Sequence, residues 1–140
     1  MGGEAEEKRP ARSSTSVLIA ESDRALGELY SSSLEAAGWS VEVVRDAASV
    51  VSRMHRAPPA VLLLSAMPDA DQVSVVEHVR SMPGTENLVV IVLFDSFDHL
   101  DMKQLSHLNV QKWLSRTRIT REQLSDTIAA LVGGAPQRRA

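Results

Sequence analysis

Charged side chains follow several predicted strands of this sequence, close to the points where the strands end. Glu21 follows the first apolar run of the chain, Asp69 and Asp71 follow a later run, and Arg116 follows a short run further on. The carboxyl ends of parallel strands share one edge of a sheet, where ligands of such folds bind. Three carboxylates there could hold a cation, whereas aspartates at such positions more often cap the next helix. Both interpretations of Asp69 and Asp71 stay open here.

The strands that would position these residues are predicted from hydrophobic patterning. Short apolar runs alternate with amphipathic segments, which is typical of a parallel sheet covered by helices on both faces. The run Val61–Leu64 is apolar throughout and bounded by turn signals, as expected of a central strand. The predicted strands are Val17–Ala20, Val41–Val44, Val61–Leu64, Val89–Leu93 and Lys112–Ser115.

Five helices are predicted between and after these strands. Asp23 and Asp46 are suitable N-cap residues for the first two, and Thr120 with Gln123 forms a capping box before the last. The fourth helix, around Leu100 to Leu108, has a weaker apolar pattern than the others.

The composition limits domain number and excludes several kinds of site. The 140 residues suffice for one domain, and 44% of them are hydrophobic. Residues 1–15 and 134–140 are polar and rich in charge or Gly and Pro, so they are predicted to be flexible tails around a domain at 16–133. Because the chain has no cysteine, disulfides, thiolate metal sites and cysteine nucleophiles are excluded.

Charge and hydropathy also indicate which partners to expect. The net charge of -3 argues against a broad nucleic-acid interface, which needs clustered Lys and Arg. No apolar run approaches the length of a membrane span. The sequence therefore predicts a cytoplasmic protein that binds neither nucleic acid nor membrane, and no cofactor or metal is expected.

Several segments resemble the receiver domain of two-component response regulators. The similar stretches are VLIAESD, LEAAGWSVEVV, VLLLSAMPDAD and LDMKQL through KWLSRTRITREQL. The resemblance implies a flavodoxin-like, doubly wound α/β fold with a five-stranded parallel sheet in the order 2-1-3-4-5 and five helices. In that family an Asp after the third strand accepts phosphate, an acidic pair holds magnesium, and a hydroxyl residue and a Lys contact the phosphoryl group.

This sequence departs from the family pattern at each of those positions. Leu64 occupies the phosphoacceptor position and has no nucleophilic atom, while the acidic pair is reduced to Glu21 beside Ser22. Phe94 stands where the family has Thr or Ser, and Arg116 stands where it has Lys. Phosphoryl transfer needs a metal and a cation to offset charge on the incoming oxygens, so we interpret this pocket as degenerate.

The leading hypothesis is a stand-alone pseudo-receiver of a phosphorelay, not an enzyme, that binds a protein independently of phosphorylation. The resemblance places the binding surface on the fourth helix, fifth strand and fifth helix, with Leu105, Trp113 and Arg118 as signalling-surface residues. Trp113 lies where the family has an aromatic that changes rotamer on activation, and a locked pair with Phe94 is expected. A homodimer is left open.

Two alternatives remain. The chain could be phosphorylated at an unconventional residue, Ser65 or Asp69, although strand alternation would turn Ser65 away from the face of Leu64. It could instead bind a small ligand through Glu21, Ser22 and Arg116 at the carboxyl edge.

Overall fold

The computed structural model describes residues 16–95, 107–116 and 118–133. It contains five strands, which all pair in parallel in the order β2-β1-β3-β4-β5. The predicted fold class and strand order are therefore confirmed. The strands are β1 (Ser16–Ala20), β2 (Ser40–Val44), β3 (Val61–Leu64), β4 (Val89–Phe94) and β5 (Lys112–Ser115).

Four helices lie within the described residues, and they cover both faces of the sheet. They are α1 (Arg24–Ala36), α2 (Ala47–Arg56), α3 (Gln72–Arg80) and α4 (Arg121–Val132). The predicted helix around Leu100 to Leu108 lies mostly in residues 96–106, outside the described part of the chain. Leu105, predicted as a signalling-surface residue, falls there too.

The helix starts agree with the predicted caps. The Asp23 carboxylate accepts from the Leu26 N–H at 3.0 Å, and the Asp46 carboxylate accepts from the Ser49 N–H at 2.8 Å. The capping box of Thr120 and Gln123 is formed in both directions. These side chains satisfy N–H groups that have no partner in the first turn of a helix.

Alternation along the strands divides the core between the two faces of the sheet. Leu62 and Leu64 of β3 pack with α2 and α3, whereas Val61 and Leu63 pack with α1 and α4. All four side chains are fully buried. This period of two also decides which side chains meet at the carboxyl edge of the sheet.

Two details of the core could not be read from the sequence. Trp39 is buried, and its indole N–H donates to Ser125 Oγ at 3.1 Å. The fourth strand runs one residue further than predicted, so Phe94 is its last residue. Phe94 is therefore fixed by the sheet rather than placed in the following loop.

Arg80 stabilises the turn that precedes β5. Among the described residues its guanidinium donates to main-chain carbonyls alone, at 2.7 to 3.1 Å. These carbonyls belong to Thr85, Leu88, Leu108 and Asn109. Hydrogen bonds from a charged donor are stronger than neutral ones, so this side chain ties the end of α3 to the start of β5.

Candidate functional site

Four polar residues directly follow the last residues of four strands. They are Glu21 after β1, Ser65 after β3, Asp95 after β4 and Arg116 after β5. In each strand the last residue continues the series facing α2 and α3, so alternation turns the next residue towards α1 and α4. The four polar side chains therefore share one face at the carboxyl edge.

Glu21 is the centre of this polar cluster and is completely buried. Its Oε1 accepts from the Ser65 hydroxyl at 2.6 Å, and its Oε2 accepts from the Asp23 N–H at 3.0 Å. Arg116 Nη2 donates to the same Oε2 at 3.2 Å. A buried carboxylate needs both hydrogen bonds and a counter-charge, and these neighbours supply them.

Arg116 links Glu21 to a second carboxylate at the protein surface. Its Nη1 lies 3.3 Å from Asp95 Oδ2, and the side chain of Asp95 is 61% exposed. The Arg116 side chain is only 15% exposed. Because water screens the outer ion pair, the inner pair with Glu21 is the one that matters for stability.

Helix α1 packs closely against the polar cluster. A Cβ placed on Gly27 would lie 3.3 Å from Val43 Cγ1 and 3.9 Å from Glu21 Cβ, so only glycine allows this approach without a shift.

Tyr30, almost one turn later on α1, is also buried, and its hydroxyl makes no hydrogen bond of standard geometry within the described residues. Burial raises the pKa of Tyr30, Glu21 raises it further, and Arg116 opposes both. The phenol is therefore neutral at physiological pH.

The opposite face of the same edge is apolar. Leu64 is fully buried and Phe94 is 9% exposed, and both lie in the core cluster formed with α2 and α3. Trp113 is partly buried against that cluster, and its indole N–H is buried with no hydrogen-bond partner among the described residues. Phe94 and Trp113 thus belong to one hydrophobic cluster, and the locked aromatic pair stays a prediction.

The residues predicted as a degenerate phosphoacceptor pocket are divided between the two faces of the sheet and the turn after β1. Glu21 and Arg116 pair on the α1 and α4 face, while Leu64 and Phe94 join the core on the other face. Ser22 is exposed. The pairing of Glu21 with Arg116 brings together two of the predicted residues across the sheet.

Gln72 is a site residue that sequence reasoning missed. Its side-chain Nε2 donates to the carbonyl of Leu64 at 3.2 Å and to that of Leu93 at 2.8 Å. The first residue of α3 therefore clamps the carboxyl ends of β3 and β4 together. No sequence signal indicated this, because a glutamine at a helix start is unremarkable.

Asp69 and Asp71 both cap helices in the structure. Asp71 accepts from the Ser74 N–H at 2.8 Å, as predicted for the next helix. Asp69 instead caps the preceding helix, accepting from the N–H groups of Ala47 at 2.7 Å and Ala48 at 3.1 Å. The hydrogen bond from Ala47 is the main cause that lowers the pKa of Asp69.

Within residues 16–95, 107–116 and 118–133, no group of three or more His, Asp or Glu side chains is placed to hold a metal ion.

Asp69→Asn is expected to lower the melting midpoint at pH 7 and to matter less in acid. The folded-state pKa lies below the unfolded one, so the carboxylate stabilises the fold above the unfolded pKa of about 3.9. That stabilisation is lost as the pH falls through the folded-state pKa. Melting midpoints of the two proteins between about pH 7 and about pH 2 test this.

The matched control for this experiment is Glu86→Gln. Glu86 is exposed and takes part in none of the ion pairs among the described residues. Its midpoint should follow that of the unmodified chain at every pH. A difference between Asp69→Asn and the unmodified chain that stays constant with pH would contradict the assigned role of the carboxylate.

None of the helices that the structure describes is long and apolar enough to cross a bilayer.

Comparisons with known proteins identify the fold. No family model and no curated protein matches the sequence. Solved structures do, among them a CheY-like receiver domain from Methylobacillus flagellatus at 18% identity, covering 85% of this chain and 99% of that one with a TM-score of 0.76. The chemotaxis response regulator CheY4 of Vibrio cholerae matches at 19% identity, 84% and 98% coverage and a TM-score of 0.76. A sensor protein from Polaromonas sp. JS666 matches at 25% identity, 86% and 94% coverage and a TM-score of 0.71.

Proposed function

We propose, from its response-regulator receiver fold, that this chain is a pseudo-receiver of two-component signalling that binds a protein partner without being phosphorylated. The observation that carries the proposal is the internal pairing of Glu21 with Arg116 and Ser65. In a working receiver such an acid and cation serve the metal and the phosphoryl group. Here the chain's own side chains use both of them.

The chemistry of phosphoryl transfer supports this proposal. A carboxylate acceptor needs a bound cation and an adjacent positive charge, because the incoming group carries charge on its oxygens. Leu64 offers no acceptor atom, and Ser22 is a neutral and weak metal ligand. The guanidinium of Arg116 is held by Glu21 and Asp95, so freeing it for a phosphoryl group costs both ion pairs.

The unconventional acceptors are poorly placed for the same reaction. Ser65 is fully buried and donates its hydroxyl proton to Glu21, so an incoming phosphoryl donor has no approach to it. Asp69 is exposed, but its two oxygens each accept from an N–H group at the start of α2. Phosphorylation at either residue would first have to break these contacts.

The proposed output is a contact with another protein in the cytoplasm. The surface we assign to it is formed by β5, α4 and the predicted helix that includes Leu105. Arg118 is exposed between β5 and α4, on the surface that we assign to the partner.

Arg118→Glu should therefore weaken partner binding without affecting the fold, since surface substitutions of this kind rarely change stability by more than about 0.5 kcal/mol.

The test is the intact mass of the full chain after incubation with magnesium and acetyl phosphate, followed by hydroxylamine. Hydroxylamine cleaves acyl phosphates and spares phosphoserine. We expect no phosphate adduct under conditions in which a receiver with an intact phosphoacceptor, run alongside, is labelled.

Either kind of adduct would contradict the proposal and identify its replacement. A hydroxylamine-labile adduct would mean that a carboxylate such as Asp69 is a working acceptor. A resistant adduct would indicate Ser65. If no adduct forms but small metabolites raise the melting midpoint, the carboxyl edge binds a ligand, since a ligand of the native state stabilises it by mass action.

A further inference from the structure

A groove runs between α1 and α4, away from the carboxyl edge. Small side chains line it on the α1 side, and α4 contributes the charged side chains. The lining residues are Ser33, Ala36, Ala37, Arg121, Glu122, Ser125 and Asp126. Of these, Ala36, Arg121, Glu122 and Asp126 are exposed. One lining residue, Ser125, is held in place because its Oγ accepts from the indole N–H of the buried Trp39.

The charge in this groove is unbalanced. Glu122 and Asp126 lie one turn apart on α4, and Arg121 is the one cation among the lining residues. Neither carboxylate takes part in the ion pairs found in the described part of the chain. The carboxylates in the groove outnumber the cation, and the side chains that α1 contributes are small. The groove therefore suits a narrow segment that carries positive charge.

Residues 134–140 have those properties. Their sequence is GAPQRRA, with small side chains followed by Arg138 and Arg139 and with no acidic residue. They follow Gly133, which ends α4 in the left-handed conformation at φ 90°. Nothing lies within 4 Å of a Cβ built on Gly133, so there is open space where the chain leaves the helix.

The segment is long enough to return along the helix that it follows. A rise of about 1.5 Å per residue puts Asp126 about 9 Å and Glu122 about 15 Å back from Val132. An extended chain covers about 3.3 Å per residue, so Arg138 reaches up to about 20 Å from the same point. Both carboxylates lie within that span.

We propose that residues 134–140 fold back into the α1–α4 groove, with Arg138 and Arg139 against Glu122 and Asp126. The segment then covers this face of the domain in cis and competes with any partner that docks on it. The contact is independent of whether the carboxyl edge accepts phosphate. Because the segment is tethered to α4 by a short link, its effective concentration at the groove is in the millimolar range, so docking does not require high affinity.

The test uses the full chain, which lacks cysteine, so that Ala140→Cys accepts a single nitroxide label. Paramagnetic broadening of backbone amides is then measured in the ¹⁵N-labelled protein. Amides of Ala36 and Ser125 in the groove should broaden strongly, whereas Arg53 in α2, on the other face of the sheet, should not.

The charge-free variant Glu122→Gln/Asp126→Asn separates docking from mere proximity. It should reduce the broadening at Ala36 and Ser125 by roughly half or more, as should about 1 M NaCl, where the Debye length falls to about 3 Å. Amides next to Gly133 should stay broadened in both cases. Broadening that is confined to the end of α4, or that ignores both changes, would overturn the proposal.

A mixing experiment identifies the source of the segment. Spin-labelled protein without ¹⁵N is added to unlabelled ¹⁵N protein. Groove broadening in that mixture would mean that the segment of a second copy occupies the groove, and the cis contact would be wrong. No broadening in the mixture is the expected result.

Discussion

Leu64→Asp is expected to lower the free energy of unfolding by roughly 3–5 kcal/mol at pH 7 and to leave the chain unphosphorylated. Leu64 is fully buried in the cluster formed with α2 and α3, so the substitution removes apolar contacts and places a carboxylate among them. The metal ligand and the hydroxyl residue remain absent at Ser22 and Phe94. Denaturant unfolding, with intact mass after acetyl phosphate, measures both outcomes.

Leu64→Asn is the matched control, because it has the shape of the aspartate without its charge. Burial raises the pKa of a carboxyl group, so the introduced acid is neutral in acid and costs more as the pH rises through its folded-state pKa. The stability gap between the two variants should therefore widen from about pH 3 to about pH 7. An unchanged unfolding midpoint together with an adduct would show that the pocket is intact.

The fold could be predicted from local signals because each strand carries its own. Val61–Leu64 is apolar at every position, which only a strand buried on both faces requires. Asp23, Asp46 and Thr120 mark helix starts by chemistry confined to a few residues. Phe94 was placed one position outside its strand, because the apolar run gives no signal for the end of the sheet ladder.

The site was harder to predict because its contacts join distant parts of the chain. Asp69 meets Ala47 across 22 positions, and the helix start at Asp46 already had an adequate cap. A signal for the polar cluster did exist. Glu21, Ser65 and Arg116 each follow the last residue of a strand, and alternation alone would have placed them on one face.

Together these contacts show how side chains of the protein join the strands at the carboxyl edge. On one face Arg116 reaches from β5 across the sheet to Glu21, and on the other Gln72 bridges the carbonyls of Leu64 and Leu93. Each contact joins two strands at the carboxyl edge of the sheet. The edge is therefore stabilised by side chains of the protein itself, which is consistent with a receiver fold that is used for binding alone.

Arg116→Met is expected to lower the free energy of unfolding by about 3–5 kcal/mol, the usual cost of leaving one partner of a buried ion pair without the other. Glu21 is completely buried, and its remaining donors among the described residues in this variant are the Ser65 hydroxyl and the Asp23 N–H. Asp95→Asn removes the other partner of the same guanidinium. Because Asp95 is 61% exposed, that change should cost less than about 1 kcal/mol.

The double variant Glu21→Gln/Arg116→Met distinguishes loss of the ion pair from loss of packing by the long arginine side chain. If the stranded charge causes the loss, removing it should recover roughly 2 kcal/mol relative to Arg116→Met alone. Equal stability of the single and the double variant would mean that Arg116 acts through its methylene groups. In that case the inner ion pair would not be what closes the carboxyl edge, and the proposal of a self-occupied site would lose its main support.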